Sequence, residues 1–171
     1  MSDILIRDWT DEDLPAIRHI TWETWVATYA TFVPVTDLRS YFDKEYAIEA
    51  LREFLRSAAN RGLLALVADV PAAFMRTHWE EKESRFYVSS LYVLPEHQGH
   101  GLGGLLMAAA EQHAVKWSAD AIWLGVMEQN VRTLEWYRKQ GFIFVEEAPF
   151  VMGNSTVNHF IGFKKIQTDR L

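Results

Sequence analysis

Apolar positions recur along this chain with two different periods. Ile4-Leu5-Ile6-Arg7 predicts a short first strand. Leu14, Ile17, Ile20 and Thr24 then fall at helical spacing. With Thr10 three residues before Asp13, and Pro15 soon after, they predict a helix from about residue 11 to about residue 30. Pro34 breaks it. Ile48, Leu51, Leu55 and Ala58 predict a second helix, with Gly62 placed to cap its C-terminus. Leu63 to Ala68 is a continuous apolar run of strand length, Asp69-Val70-Pro71 a turn, and Ala72 to Trp79 the returning strand. Glu80-Glu81-Lys82-Glu83 makes a polar hairpin tip. Phe86 to Leu94, rich in aromatic and β-branched residues, is the strongest strand signal, and Pro95 ends it. Beyond it the pattern predicts a helix over Gly101–Trp117, a buried strand over Ala121–Val126, and a helix over Val131–Gln140 with Gly141 at its cap. Phe142–Val145 and His159–Phe163 are the last strands. No repeat, linker or break in composition interrupts residues 1–171, so the expectation is one α/β domain: antiparallel strands first, then strands joined by helical crossovers.

The length, 171 residues, suits a single core. Aromatics at 13%, with seven Trp, supply enough apolar surface for that core and leave some for a pocket. Cysteine is absent, which excludes disulfides, thiolate metal sites and a cysteine nucleophile. A net charge of −6 repels phosphate backbones, so nucleic acid is not an expected partner. No run approaches the ~20 apolar residues of a membrane span. Met1-Ser2-Asp3-Ile4 lacks the basic and apolar regions of a secretory leader, so a cytoplasmic location is expected by default. His97 and His100 lie close together without a third ligand, and no metal is expected.

The most informative stretch runs from Leu91 to Gly104. A strand passes into a glycine-rich turn, and the turn opens a helix. Glycines let the backbone approach a ligand closely. The free N–H groups and dipole of a helix's first turn suit a pyrophosphate. Gly99, Gly101 and Gly104 also satisfy the dinucleotide fingerprint, with Glu128 roughly 20 residues on. Too little chain follows for the repeated βαβ units of that fold. A Walker loop is excluded because no Lys-Ser or Lys-Thr pair closes the glycine run. A plain structural turn stays open on the loop alone.

The wider pattern resembles the GNAT acetyltransferase superfamily. Its Gln/Arg-x-x-Gly-x-Gly/Ala loop is matched by Gln98-Gly99-His100-Gly101-Leu102-Gly103, preceded by Leu91-Tyr92-Val93-Leu94-Pro95-Glu96. A second match follows from Asn130 through Trp136-Tyr137 to Gly141-Phe142, with Thr133 and Gln140 departing from the usual Ala and Leu. The resemblance implies a mixed, mostly antiparallel sheet whose central strands splay apart, flanked by helices. It implies acetyl-CoA as cofactor, with main-chain amides from Gln98 to Gly104 holding the pyrophosphate. The edge Leu91-Tyr92-Val93 would pair with the pantetheine arm and offer an N–H to the oxyanion. Asn130 would face the cofactor arm or cap its helix, and Tyr137 would protonate the departing thiolate. Trp22, Trp25, Tyr29 and Trp79 would border the acceptor pocket, where aromatic faces attract ammonium groups, or simply pack. Many relatives carry a Glu four residues before Leu91; here it is Tyr87, which leaves the general base open among Glu23, Glu80, Glu81 and a water chain touching Ser89 or Ser90. The implied function is acetyl transfer to the amine of a small molecule or peptide, with a homodimer left open. Thr28 to Pro34 looks like the small-molecule and polyamine members. A non-catalytic acetyl-CoA sensor is the alternative.

Overall fold

Seven strands join into one sheet in the computed structural model of the chain, which describes residues 3–167. They are β1 (Ile4–Asp8), β2 (Asn60–Val67), β3 (Val70–Glu80), β4 (Arg85–Val93), β5 (Ala121–Met127), β6 (Ile143–Met152) and β7 (Ser155–Lys165). Their order is β1-β2-β3-β4-β5-β7-β6, and every neighbouring pair is antiparallel except β4 with β5. The helices are α1 (Leu14–Tyr29), α2 (Val35–Glu45), α3 (Ile48–Arg56), α4 (Leu102–Lys116) and α5 (Val131–Lys139).

Successive strand residues point to opposite faces, and the core divides accordingly. Leu63, Ala65, Ala73 and Met75 pack with Leu106 of α4 and Leu134 of α5. Their neighbours Leu64, Leu66 and Phe74 pack on the other face with Ile17 and Ile20 of α1, Phe42 of α2 and Leu51 of α3. The chain enters α1 through a capping arrangement. Asp13 Oδ2 accepts from the Thr10 main-chain N–H at 2.7 Å, while Arg7 grips the same carboxylate through both terminal nitrogens.

Three departures from the sequence pattern have physical causes. Gly62 lies inside β2 and caps nothing: a Cβ there would come within 2.2 Å of the Trp9 ring, so glycine makes room for a buried indole. The β2–β3 turn sits at Ala68-Asp69, one residue earlier than expected, with φ of 49° and 64° at the two residues, the twist that tight hairpins favour. Finally, α2 and most of the long β6–β7 hairpin are additional. Asp37, near the start of α2, holds the hairpin's tip, accepting from the Asn154 N–H at 3.0 Å and the Ser155 hydroxyl at 2.5 Å.

Candidate active site

The sheet opens in its middle. β4 and β5 pair only at Phe86 with Ile122 and Tyr87 with Trp123, and then diverge. A bulge helps turn β4 away: Arg76 pairs with Ser90 but Thr77 with Val88, so Ser89 is an extra residue.

The direction of the freed amides follows from the ladder. Leu94 N–H donates to the Ala72 carbonyl at 2.9 Å. Antiparallel pairs alternate between bonded and non-bonded, so Tyr92 and Ser90 also bond to β3. Leu91 and Val93 therefore turn their main-chain groups toward the gap. The Val93 carbonyl bears this out, accepting from Gln98 Nε2 at 3.1 Å and from Thr24 of α1 at 3.4 Å.

Beyond Val93 the chain makes a short turn (Pro95–His97) and enters the glycine loop. Gly99 has φ of 81° and Gly101 of 84°, in the left-handed region where a side chain is strained. Open space faces both, so a ligand can approach their backbone closely. Gly101 stands at the start of α4, and the first-turn amides at Gly103 and Gly104 border the same cleft. That cleft, about 650 Å³, runs from this loop along Leu91, Tyr92 and Val93 and between α1 and α5.

Of the residues expected to hold the cofactor, Leu91, Tyr92, Val93, Gln98 and Gly99 line the cleft, as do Gly101, Leu102, Gly103 and Gly104. Asn130 and Tyr137 complete the wall from α5. Asn130 occupies the cap position but makes no side-chain capping bond. His100 does not line the cleft; it is exposed on the loop. Sequence reasoning missed His97, Thr24, Thr28, Arg132, Thr133 and Trp136, all cleft residues. Arg132, Thr133 and Trp136 lie within the matched α5 motif.

Tyr137 is only 6% exposed. Burial first, and the nearby Tyr29 phenol second, raise its pKa above the ordinary phenol value. Among the described residues no protein group bonds its hydroxyl. Like an ordinary phenol, it is protonated at neutral pH, and it lies beside the gap. Burial pushes Tyr29 up to about 12 and raises Tyr92 as well.

The expected acceptor aromatics separate. Tyr29 reaches the cleft. Trp25 does not: it is 2% exposed, packed among Tyr41, Phe42, Tyr46 and Tyr92. Trp22 lies on Phe42 under the Arg39 guanidinium. Trp79 stands elsewhere, stacked on Trp117 at 5.8 Å, in a shallow depression with Arg85 and Asp120. It is a β3 end residue whose face belongs to the α4 side.

The expected carboxylates are equally distant from this role. Glu23, Glu80 and Glu81 line no part of the cleft, and no described residue that does is acidic. Tyr87 is tied up, donating to Glu83 at 2.7 Å and accepting from Arg85 at 3.2 Å. Ser90 is buried between the Tyr46 hydroxyl at 2.8 Å and Arg76 Nε at 3.0 Å. Ser89 is exposed at the bulge.

A split β4–β5 pair, a free main-chain edge and a glycine loop opening α4 together make one cleft suited to an extended ligand that carries phosphates. Residues 14–142 match the model of the acetyltransferase (GNAT) family. This chain belongs to that family, whose co-substrate is acetyl-CoA, and it is an acyltransferase of the N-acetyltransferase class. A solved structure of the PaiA N-acetyltransferase from Thermoplasma acidophilum, in complex with coenzyme A, is 25% identical. It superposes with a TM-score of 0.82 over 95% of this chain and 99% of its own. An uncharacterized N-acetyltransferase of Lactobacillus delbrueckii subsp. lactis is 22% identical over 94% of this chain and 96% of its own. Streptothricin acetyltransferase of Streptomyces lavendulae is 32% identical over 51% of this chain and 47% of its own.

Proposed function

We propose that the protein acetylates a primary amine by direct attack within a ternary complex, in the gap between β4 and β5. The observation that carries this reading is the unpaired edge of β4, whose Leu91 and Val93 amides face a cleft that ends at a glycine-opened helix.

Acetyl-CoA supplies an acyl group activated by a thiol leaving group. The residues present fit it. Amides of the Gln98–Gly104 loop and the first turn of α4 would hold a pyrophosphate, with Arg132 adding a cation at the rim. The Leu91 and Val93 N–H groups would pair with an amide-bearing arm as with a peptide strand. One of them would steady the charge that grows on the carbonyl oxygen. Tyr137, a neutral phenol whose pKa burial raises further, would hand its proton to the sulfur.

The acidic surface suits a cationic acceptor, and the relative named for streptothricin supports a small amine-bearing molecule over the half of the chain that it matches. The lack of an acidic group among the described cleft residues favours one second reading, a domain that binds acetyl-CoA without turnover. Titration calorimetry tests the cofactor. Acetyl-CoA and CoA should bind at micromolar affinity, about −8 kcal/mol, and NAD far more weakly. Equal or tighter NAD binding would sink the reading.

A further inference from the structure

The residues that line the cleft carry permanent charge of one sign only. Among the described residues none on its wall is acidic, and Arg132 of α5 is the one permanent cation. Gly101 and Asn130 open α4 and α5 without a side-chain cap bond, so the partly positive ends of two helices border the same space. The other titratable groups are Tyr29 from α1, Tyr92 from β4, His97 from the turn after it, and Tyr137 from α5, while α4 adds only Leu102 and glycines. His97 stands beside the glycine loop, where phosphates would sit. The three phenols are neighbours, Tyr29 interacting with both Tyr92 and Tyr137. They flank the gap from both sides of the sheet: Tyr29 and Tyr92 pack with the α1–α3 core, Tyr137 with the α4–α5 core.

These phenols report on the medium that a reacting amine would meet. Burial is the first cause of the raised pKa of all three. Burial penalises charge of either sign, so surroundings that disfavour a phenolate also disfavour an ammonium. No carboxylate on the described wall offsets that cost, and the positive groups at the loop suit phosphates, not a second cation. The uncharged amine meets no such penalty. A phenol oxygen can accept from its N–H, which lets the free base be held.

From this lining we infer that the acceptor is a weakly basic primary amine, with an electron-withdrawing group on a neighbouring carbon, and that it attacks as the free base without a general base on the protein. The inference rests on the acetyl-transfer reading above. The α-amino group of an amino amide and the amine of an amino sugar share this chemistry. Such amines keep a substantial uncharged fraction near neutral pH, whereas an alkylamine, like a lysine, is protonated almost completely. The net charge of −6 draws amines in from solution as cations, and the cleft takes the uncharged fraction. The amine lone pair forms the C–N bond to the acetyl carbon. The C–S bond breaks with its electron pair on sulfur, which takes the Tyr137 proton. Bonded to the acetyl carbon, the nitrogen becomes strongly acidic, and its extra proton passes through water to the Tyr137 phenolate.

The pH dependence of kcat/KM for the wild-type enzyme decides it. The probes are ethylamine and its fluorinated analogues, which lower the amine pKa with little change of shape, with putrescine, glycinamide and glucosamine beside them. For each amine turned over, the acid limb should move with the amine, by about one pH unit per unit of amine pKa, because only free base reacts. At neutral pH, glycinamide or glucosamine should exceed ethylamine and putrescine in kcat/KM by about tenfold or more. A preference for either supports the inference and tells a peptide-like source from a sugar. An acid limb fixed at one pH for amines of different pKa would reveal a base on the protein and overturn the inference, leaving acetyl transfer standing. So would ethylamine or putrescine as the best acceptor at neutral pH. A protein inert toward every amine overturns both readings.

Discussion

Tyr137 sits where α5 meets the gap, and burial raises its pKa further above an ordinary value that already leaves a phenol protonated at neutral pH. Only the protonated form can donate, so activity that depends on it must persist through neutral pH. It should fall on the alkaline side, above the ordinary phenol value of about 10. Tyr137→Phe keeps the ring against Trp136 and Phe142 and removes the proton. We expect kcat to drop by about 10²–10⁴-fold, toward the low end because thiolates leave fairly well. The drop should appear equally in kcat/KM, and shrink for thioesters of more acidic thiols. Full kcat under conditions where chemistry is limiting would return Tyr137 to a packing role. The loop glycines make a different demand. Gly101→Val places a branched side chain at a φ of 84° and fills the space a ligand's phosphates would use. It should raise the acetyl-CoA KM by about tenfold or more, the equivalent of ~1.4 kcal/mol. Gly103→Ala should cost less, since its Cβ would only crowd the Trp136 ring at 3.2 Å. Unchanged KM in both would make the loop merely structural.

Among the elements, α1 has the most legible origin. Thr10, Asp13 and Pro15 announce its start, and the folded chain uses Asp13 as a shared acceptor for Thr10 and Arg7. The Arg7 hydrogen bonds hold the Asp13 carboxyl below the usual range, with burial opposing them. A depressed carboxylate stabilises the fold above its unfolded value of about 4, and that contribution disappears as pH falls through the lower folded value. Asp13→Asn should therefore cost about 1–2 kcal/mol at neutral pH, and the gap to wild type should close in acid. Chemical denaturation at the two pH values checks it. A gap that persists in acid would assign the loss to shape rather than charge.

Other elements were harder to read. In α2 only Leu38 and Phe42 form a fully buried pair at helical spacing, in an otherwise polar segment. β6 is an edge strand, exposed along much of its length, so Glu146, Glu147 and Pro149 break the alternation without breaking the strand. The motif residues of the cleft were legible because main-chain geometry there is written in glycines and in the strand before them. Trp25 and Tyr29 share a face of α1, and nothing local says which is buried and which reaches the gap.

At the scale of the whole molecule, the sheet's two faces have divided labour. One face packs α4 and α5 and presents the glycine loop. The other packs α1, α2 and α3, and Thr24 and Tyr29 of α1 border the cleft. A ligand seated across the split bridges both halves of the sheet. At a hundred times its Kd, acetyl-CoA should then stabilise the fold by about 2.7 kcal/mol, visible as a raised Tm; no shift would mean that it does not bind the folded state at that affinity. Binding alone does not separate an enzyme from a sensor. Turnover does. Thiol release from acetyl-CoA should be followed over a panel of primary amines, with each amine then weighed by mass spectrometry. The account predicts release that depends on the amine and equals, mole for mole, the acetylated amine formed. Bound acetyl-CoA with no amine-dependent thiol release, or thiol release without an acetylated product, would contradict it.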